Sequence, residues 1–203
     1  MEKLITSLVS GDKKACVSET EKLLTEGVPK EEIVTKALEV AMVQMDDKCT
    51  AENFNLLEIM LAGRAVMSVM KVLFPKAEEI PAGKGTIVLA TLEGDVHDLG
   101  KNIVKMVCVG KGYKVIDCGK SAPMNDIISK VQEHKPLALG ISGLITSIIP
   151  MVKQVQPKLQ AIGMGDVKIL AGGAALKMAA ANILNVDMVG ETAFDAPQYL
   201  AHN

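Results

Sequence analysis

The fold is decided by the stretch Gly85-Thr-Ile-Val-Leu-Ala-Thr-Leu-Glu-Gly-Asp-Val-His-Asp-Leu-Gly100. Its first part, residues 86–90, is β-branched and apolar without polar alternation, which is typical of a parallel strand buried on both faces. From residue 99 onward, apolar residues recur at helical spacing. The polar loop with Asp95, His97 and Asp98 therefore joins the carboxyl end of a strand to the start of a helix. In open α/β sheets, ligands bind at that place.

The same alternation of strand and helix continues to the end of the chain. Periodicity predicts five short strands, at 86–91, 114–118, 137–141, 167–171 and 186–189. It predicts a helix after each of them, at 99–111, 124–134, 147–162, 175–183 and 192–201. Five strands that are each followed by a helix indicate an α/β fold with a doubly wound, five-stranded parallel sheet of the Rossmann-like or flavodoxin-like kind.

The amino-terminal part reads as helix throughout. Helices are predicted at residues 2–9, from the Gly11-Asp12 cap to Glu26, from Pro29 to about Lys48, and from about Ala51 to Leu73, which together make a four-helix bundle. Two prolines and two glycines then interrupt the pattern within residues 74–85, as expected of a linker and hinge. We predict a helical cap domain at residues 1–82 and an α/β domain at residues 83–203.

Composition excludes several classes of protein. The net charge of -2, with scattered basic residues, gives no electrostatic basis for binding nucleic acid or an anionic membrane. No secretory signal and no apolar run of about 18 residues is present, so we expect a cytoplasmic location. The four widely spaced cysteines form no C-x-x-C pair, which disfavours zinc and disulfides; we interpret them as small buried apolar residues: Cys16, Cys49, Cys108 and Cys118.

Three of the predicted strands end in unusual sequences. They are Asp95-Val-His-Asp-Leu-Gly100, Ile141-Ser-Gly-Leu-Ile-Thr-Ser147 and Ala171-Gly-Gly-Ala-Ala175. Because carboxyl ends of parallel strands share one edge of the sheet, these segments predict a slot lined by small and hydroxylated residues beside a histidine.

The Asp95-x-His97 pair has three interpretations. A carboxylate bound to one ring nitrogen fixes the tautomer and makes the other nitrogen a better metal ligand. The same pair also suits a general base. A plain loop histidine that caps a helix explains a lone Asp-x-His equally well.

Taken together, the three motifs resemble those of the cobalamin-binding domain. The pattern is Asp95-x-His97-x-x-Gly100, then Ser142-x-Leu144, then Gly172-Gly173. Residues 93–104 resemble methionine synthase and the corrinoid proteins of methylotrophic and methanogenic methyltransferase systems. The helical part resembles the cap that precedes this domain, and two domains alone favour the stand-alone corrinoid proteins.

The resemblance implies a role for each motif residue. His97 would be the lower axial ligand of the cobalt in a base-off cobalamin, and Asp95 would hydrogen-bond its imidazole. Gly100 would let the nucleotide tail pass the start of the helix. Asp98 and Leu144 belong to the same motifs and would also contact the cofactor. Hydroxyl groups and missing side chains would line the pocket of the tail and its base, at Ser142, Thr146, Gly172 and Gly173.

Two further expectations concern a proton relay that would extend the Asp-His pair and the helical cap. Methionine synthase extends the Asp-His pair with a serine two positions beyond the residue that matches Thr146, whereas this chain has Ile148 there and Ser147 one position earlier. In the cap, Phe54 and Leu61 lie seven residues apart on one helical face and are candidates to shield the corrin. Ordinary packing inside the bundle explains the same two residues.

The resemblance implies a methyl carrier of a corrinoid-dependent methyltransferase system, without a complete active site of its own. Its partners would be a substrate:corrinoid methyltransferase, a methylcorrinoid:tetrahydrofolate or coenzyme M methyltransferase, and a reductive activation protein. The alternatives are a cobalamin-dependent regulatory or sensor module, the cobalamin subunit of a mutase, and a cofactor-free interaction module. The lack of a DNA-binding module argues against the sensor, and the coincidence of three motifs argues against the interaction module.

Overall fold

The structure is a computed structural model that describes residues 1–48, 55–76, 79–81 and 83–202. The chain divides into two compact units. The first contains residues 1–84 together with 106–114, and the second contains residues 85–105 together with 115–203.

The first unit is helical. Its helices are α1 (Glu2–Ser10), α2 (Lys13–Thr25), α3 (Lys30–Ile33), α4 (Glu39–Lys48) and α5 (Leu56–Leu73), with a π-helical turn at Val34–Leu38 between α3 and α4. These elements pack on an aliphatic core whose fully buried members include Leu4, Leu8, Leu38 and Val69. The predicted helical bundle is therefore confirmed.

Local capping sets two of the helix ends. Gly11 ends α1 in the left-handed conformation with φ 73°, and the Asp12 carboxylate accepts the N–H of Ala15 at 3.0 Å to begin α2, as predicted. α5 begins at Leu56, and the start that was predicted near Ala51 lies outside the described residues. Asn55 caps this helix by accepting the N–H of Glu58 at 3.3 Å and donating to its carboxylate at 2.8 Å.

The second unit contains the sheet. Its elements are β1 (Thr86–Thr91), α6 (Leu99–Gly110), β2 (Lys114–Asp117), α7 (Met124–His134), β3 (Ala138–Ser142), α8 (Ile149–Ala161), β4 (Lys168–Gly172), α9 (Ala181–Leu184), β5 (Met188–Gly190) and α10 (Asp195–His202). The strands are parallel in the order β2-β1-β3-β4-β5. The five-stranded α/β prediction is confirmed. The end of α6 and the first residue of β2 are counted with the first unit.

The strand order explains where the loops of the three motifs meet. β1 lies between β2 and β3, so the chain leaves β1 toward one edge of the sheet and later continues from β3 toward the other. Such a reversal leaves a crevice outside the carboxyl ends of the two central strands. The loop after β1 carries Asp95 and His97, and the loop after β3 carries Leu144.

Two predicted helices differ from the observed ones. The helix predicted at 175–183 is instead a short 3-10 turn at Leu176–Met178 followed by α9, with Ala179 in an extended conformation between them. Both Leu176 and Leu184 are fully buried, so tertiary packing has overridden the helix propensity of the alanines. The last helix begins at Asp195 rather than at 192, and the Asp195 carboxylate accepts backbone N–H groups of residues 191 and 192 in the loop before it.

No helix among the described residues is both long enough and apolar enough to span a bilayer.

Candidate functional site

Asp95 and His97 form a hydrogen-bonded pair in the loop after β1. Asp95 is completely buried, and its Oδ1 lies 2.9 Å from the backbone N and 2.8 Å from the ring Nδ1 of His97. The His97 side chain remains 52% exposed. An ionised carboxylate only accepts hydrogen bonds, so Nδ1 carries the proton and Nε2 keeps a free lone pair. The pair therefore offers Nε2 to a metal, with its tautomer already set.

The second oxygen of Asp95 ties this loop to the loop after β3. Oδ2 accepts the backbone N–H of Leu144 at 2.7 Å, across 49 positions of sequence. Burial raises the pKa of Asp95, but hydrogen bonds from His97, Leu144 and Ile145 outweigh it and hold that pKa below its usual value. The carboxylate is ionised at neutral pH, as the histidine tautomer requires.

The position that matches the relay serine of methionine synthase carries no hydroxyl group. Ile148 occupies it and is fully buried, while Ser147 is exposed. Backbone N–H groups of residues 144 and 145 donate to the Asp95 carboxylate instead. Backbone amides orient the carboxylate as a hydroxyl would, but they do not pass a proton on.

Small residues form a row across the carboxyl edge of the sheet. Thr91, Ser142, Gly172 and Gly190 pair in register on β1, β3, β4 and β5. Their neighbours one position earlier on β1, β3 and β4 belong to the core on one face of the sheet, so this row faces the opposite side. Among the described residues, a methyl group added at Gly172 would meet only the Gly190 carbonyl oxygen, at 3.7 Å. The row thus leaves room for a ligand group along the sheet edge.

Two observations in this row test whether a polar ligand fits. The Thr91 hydroxyl is buried and has no hydrogen-bond partner within the described structure. The Ser142 hydroxyl lies 3.9 Å from the position of a methyl group added at Gly100, which brings the start of α6 to the end of β3. The row therefore offers hydroxyl groups beside a glycine, and the adjoining loop offers the free Nε2 of His97. This combination fits a large cofactor that has both polar groups and a metal.

Gly173 has a different environment from Gly172. Its φ is +99°, and a methyl group there would lie 2.5 Å from the carbonyl oxygen of Gly143. The space beside Gly173 is therefore taken by the backbone of the loop after β3, and this close approach holds the two loops together.

We expect Gly173→Ala to destabilise the second unit by about 2–4 kcal/mol, because it combines a strained positive φ with a backbone clash. Gly163→Ala is the matched control, since Gly163 has φ +73° but no atom of the described part of the chain lies within 4 Å of the added methyl group. It should cost only about 1 kcal/mol. Urea denaturation of both variants measures the difference, and equal midpoints would contradict the packing role of Gly173.

The other residues expected at the site lie in different environments. Leu144 is 47% exposed, and Thr146 is exposed at the start of a 3-10 turn. Asp98 is partly buried, and its carbonyl accepts the N–H of Asn102 in the first turn of α6. Leu61 on α5 is 36% exposed, and its Cβ closely approaches Gly11. Phe54 lies outside the described residues.

Sequence reasoning missed three side chains near the His97 loop. Lys101 is only 2% exposed and pairs with Asp117 at the end of β2. Ser121 contacts the loop through its backbone and its hydroxyl. Ser121 has a left-handed φ of 49°, and the one sequence signal for such a turn is the surrounding Gly-Lys-Ser-Ala-Pro stretch at 119–123. For Lys101 there was no signal, because nothing in the pattern of α6 distinguishes it from exposed lysines.

Comparison with known families gives a consistent result over nearly the whole chain. A family described as "B12 binding domain" matches residues 85–197, and a second family with the same description matches residues 1–74. The Trimethylamine corrinoid protein of Methanosarcina barkeri is 32% identical over 177 residues, covering 85% of this chain and 82% of that protein. Dimethylamine corrinoid protein 3 of Methanosarcina acetivorans is 32% identical over 201 residues, covering 97% and 92%.

Solved structures agree with this relationship. The methanol:cobalamin methyltransferase complex MtaBC from Methanosarcina barkeri has a chain that superposes with a TM-score of 0.82 at 26% identity, covering 99% of this chain and 79% of that one. A cobalamin-binding protein from Desulfitobacterium hafniense DCB-2 superposes with a TM-score of 0.77 at 25% identity, covering 98% and 96%. The chain therefore belongs to the family of corrinoid proteins that contain a B12 binding domain.

Proposed function

We propose that this chain is a methyl carrier: it binds a corrinoid and takes a methyl group from a substrate-specific methyltransferase to a second methyltransferase. The second enzyme would pass the methyl group to tetrahydrofolate or coenzyme M. The observation that carries the proposal is the buried, ionised Asp95 that leaves Nε2 of a half-exposed His97 free. Membership of the corrinoid proteins supports it.

The bound corrinoid supplies a cobalt centre that can accept a methyl group and release it to another nucleophile. The chain's own contribution begins with His97, whose Nε2 we assign as the lower axial ligand, with the cofactor's own base displaced. Asp95 would hold the ring, and Leu144 would hold Asp95 through its backbone N–H. Hydrogen-bond partners behind a metal-binding histidine fix its orientation and raise its basicity.

The row at the sheet edge is our candidate for the nucleotide tail. Ser142 and Gly172 lie in register on neighbouring strands. Gly100, at the start of α6, lies beside the Ser142 hydroxyl. The Ser142 hydroxyl can donate to a polar group of the tail, and the missing side chain of Gly172 leaves space for its base. We extend this pocket to Thr146, on the loop that follows β3, whereas Gly173 contributes by letting that loop pack closely against the end of β4.

We propose that residues 1–82 act as the cap and residues 83–203 as the corrinoid-binding domain. Leu61, which is partly exposed on α5, is our candidate to shield the upper face of the corrin, together with Phe54. An apolar face excludes water from a reactive group between transfers. Release of the cap would then use the linker at residues 74–85 as a hinge.

The partners follow from the proposed carrier role. A methyltransferase must load the chain, and the structural similarity to a chain of the MtaBC complex supports a partner of this class. A second methyltransferase must unload it. A reductive activation protein would restore a corrinoid whose cobalt has been oxidised.

Reconstitution and methyl loading test the proposal. The purified chain is mixed with hydroxocobalamin, freed of excess cofactor, reduced with titanium(III) citrate, and incubated with a methyltransferase and its labelled substrate: trimethylamine, dimethylamine or methanol. Stoichiometric cobalamin binding and retention of the labelled methyl group by the chain would support the carrier role. Free cobalamin and the cofactor-free chain are the controls. Failure to bind cobalamin would overturn the proposal. Binding of cobalamin without methyl loading by any of the three methyltransferases with its own substrate would overturn it as well.

A further inference from the structure

A buried ion pair joins the first turn of α6 to the end of β2. The Lys101 ammonium is 2% exposed and lies 2.5 Å from Asp117 Oδ1. The second carboxylate oxygen is 3.0 Å from the more exposed Lys105, and the N–H of Gly119 donates to Oδ1 at 2.9 Å. Among these groups Lys101 is the one whose charge is removed from water, so its position depends on Asp117.

Asp117 is held in its ionised form by the groups around it. Burial raises its pKa, but hydrogen bonds from Lys101, Gly119 and Lys105 outweigh this effect and hold the pKa below its usual value. Removing one member of a buried pair leaves an uncompensated charge. The pair therefore fixes the start of α6, four residues after His97, against the end of β2.

Ser121 holds the other end of the His97 loop. Its N–H donates to the carbonyl of Asp95 at 2.9 Å, and its hydroxyl accepts the N–H of Gly94 at 3.1 Å. Ser121 has a φ of 49°, an uncommon conformation for a residue with a side chain. A left-handed serine that makes two hydrogen bonds to one loop indicates a turn shaped around that loop.

We propose that Lys101, Asp117 and Ser121 form a brace that holds the His97 ring where Nε2 can ligate the corrinoid cobalt. The proposal rests on the carrier function proposed above. These three are positioning residues, because they act on His97 through its loop. Lys101 fixes the loop where it enters α6, and Ser121 fixes the carbonyl of the residue that orients the ring.

Two variants each remove one side-chain contact of the brace, and each has a matched control; Ser121→Ala keeps the backbone N–H bond from residue 121 to Asp95. Lys101→Met removes the buried ammonium, whereas Lys105→Met removes the exposed lysine that contacts the same carboxylate. Ser121→Ala removes the hydroxyl that contacts Gly94. Ser129→Ala removes a hydroxyl that bonds only within α7, to the carbonyl of Asn125 at 2.9 Å.

Three measurements separate positioning from general stability. Thermal unfolding of the cofactor-free chain reports stability. Long-range nitrogen–proton NMR of the same cofactor-free chain reports the His97 tautomer. Electron paramagnetic resonance of the cobalt(II) form reports the fraction of bound corrinoid with a protein nitrogen ligand.

We expect Lys101→Met and Ser121→Ala to weaken cobalamin binding by up to about tenfold, the smallest effect of losing a direct hydrogen-bond partner of a metal ligand, because both residues act on His97 only through its loop. Both should give mixtures of ligated and unligated cobalt and a less uniform His97 tautomer, while both controls match the wild type. If Lys101→Met fails to fold, Ser121→Ala decides the matter. Full ligation and an unchanged tautomer in Ser121→Ala would overturn the brace.

The same data distinguish the brace from the function on which it rests. If the wild type binds no cobalamin, or binds it without a nitrogen signal, the proposed function fails. The tautomer of His97 in the cofactor-free variants still tests the brace in that case, and unchanged ring-nitrogen spectra would overturn it.

Discussion

His97→Ala is expected to give a folded chain whose bound cobalamin has no protein nitrogen on cobalt. The side chain is 52% exposed and makes one hydrogen bond, so its loss should cost only about 1 kcal/mol of stability. Cobalamin affinity should fall at least about tenfold, because losing even a hydrogen-bond partner of a metal ligand costs that much. The visible spectrum and the nitrogen signal of the cobalt(II) form in electron paramagnetic resonance measure the change.

His134→Ala is the control for this prediction. His134 lies at the carboxyl end of α7 and contacts Glu133 at 3.5 Å, away from the loop after β1. This variant should bind cobalamin with the spectrum of the wild type. Identical spectra for the wild type and His97→Ala would show that His97 is not a cobalt ligand, and the carrier proposal would then lose the observation on which it rests.

Sequence periodicity was sufficient to predict the architecture of the second unit. Continuous apolar runs such as residues 86–90 identify strands buried on both faces, and parallel strands place their carboxyl ends along one edge. The short motifs after β1, β3 and β4 could therefore be assigned to neighbouring loops. Periodicity could not predict the helix starts beside Asn55 and Asp195, because they depend on individual hydrogen bonds: Asn55 caps α5, and Asp195 accepts N–H groups from the loop before α10.

The contacts that orient the site were not predictable from pattern. The bond from Leu144 to Asp95 joins residues 49 positions apart through a backbone N–H, and any residue at 144 except proline could supply it. The burial of Lys101 on α6 depends on the position of Asp117 at the end of β2. Lysine at a polar helical position is normally solvated, so sequence alone favoured an exposed side chain.

Asp95→Asn is expected to damage both the stability and the ligand geometry of the site. Asp95 is completely buried and accepts hydrogen bonds from His97, Leu144 and Ile145. Asparagine has one accepting oxygen and one NH₂ group, so in either orientation the NH₂ group faces a donor. The loss of a buried acceptor and of its charge should destabilise the chain by about 2–4 kcal/mol.

The two orientations of the introduced amide have different consequences for His97. If the amide oxygen faces His97, the NH₂ group faces the N–H of Leu144, and the link between the loops after β1 and β3 is broken. If the NH₂ group faces His97, the ring must accept through Nδ1, which moves its proton to Nε2 and removes the lone pair needed by a metal. Neither arrangement preserves both the loop contact and the free Nε2 of the wild type.

Asp98→Asn is the matched control for Asp95→Asn, because it removes the same charge from the same loop at a partly exposed position. Urea denaturation should show a lower midpoint for Asp95→Asn alone, and ring-nitrogen NMR of the cofactor-free chain should show a changed His97 tautomer or a mixture. Cobalamin bound to Asp95→Asn should show a reduced nitrogen signal on cobalt(II). A wild-type midpoint together with a wild-type tautomer would mean that the backbone, rather than the Asp95 carboxylate, orients His97.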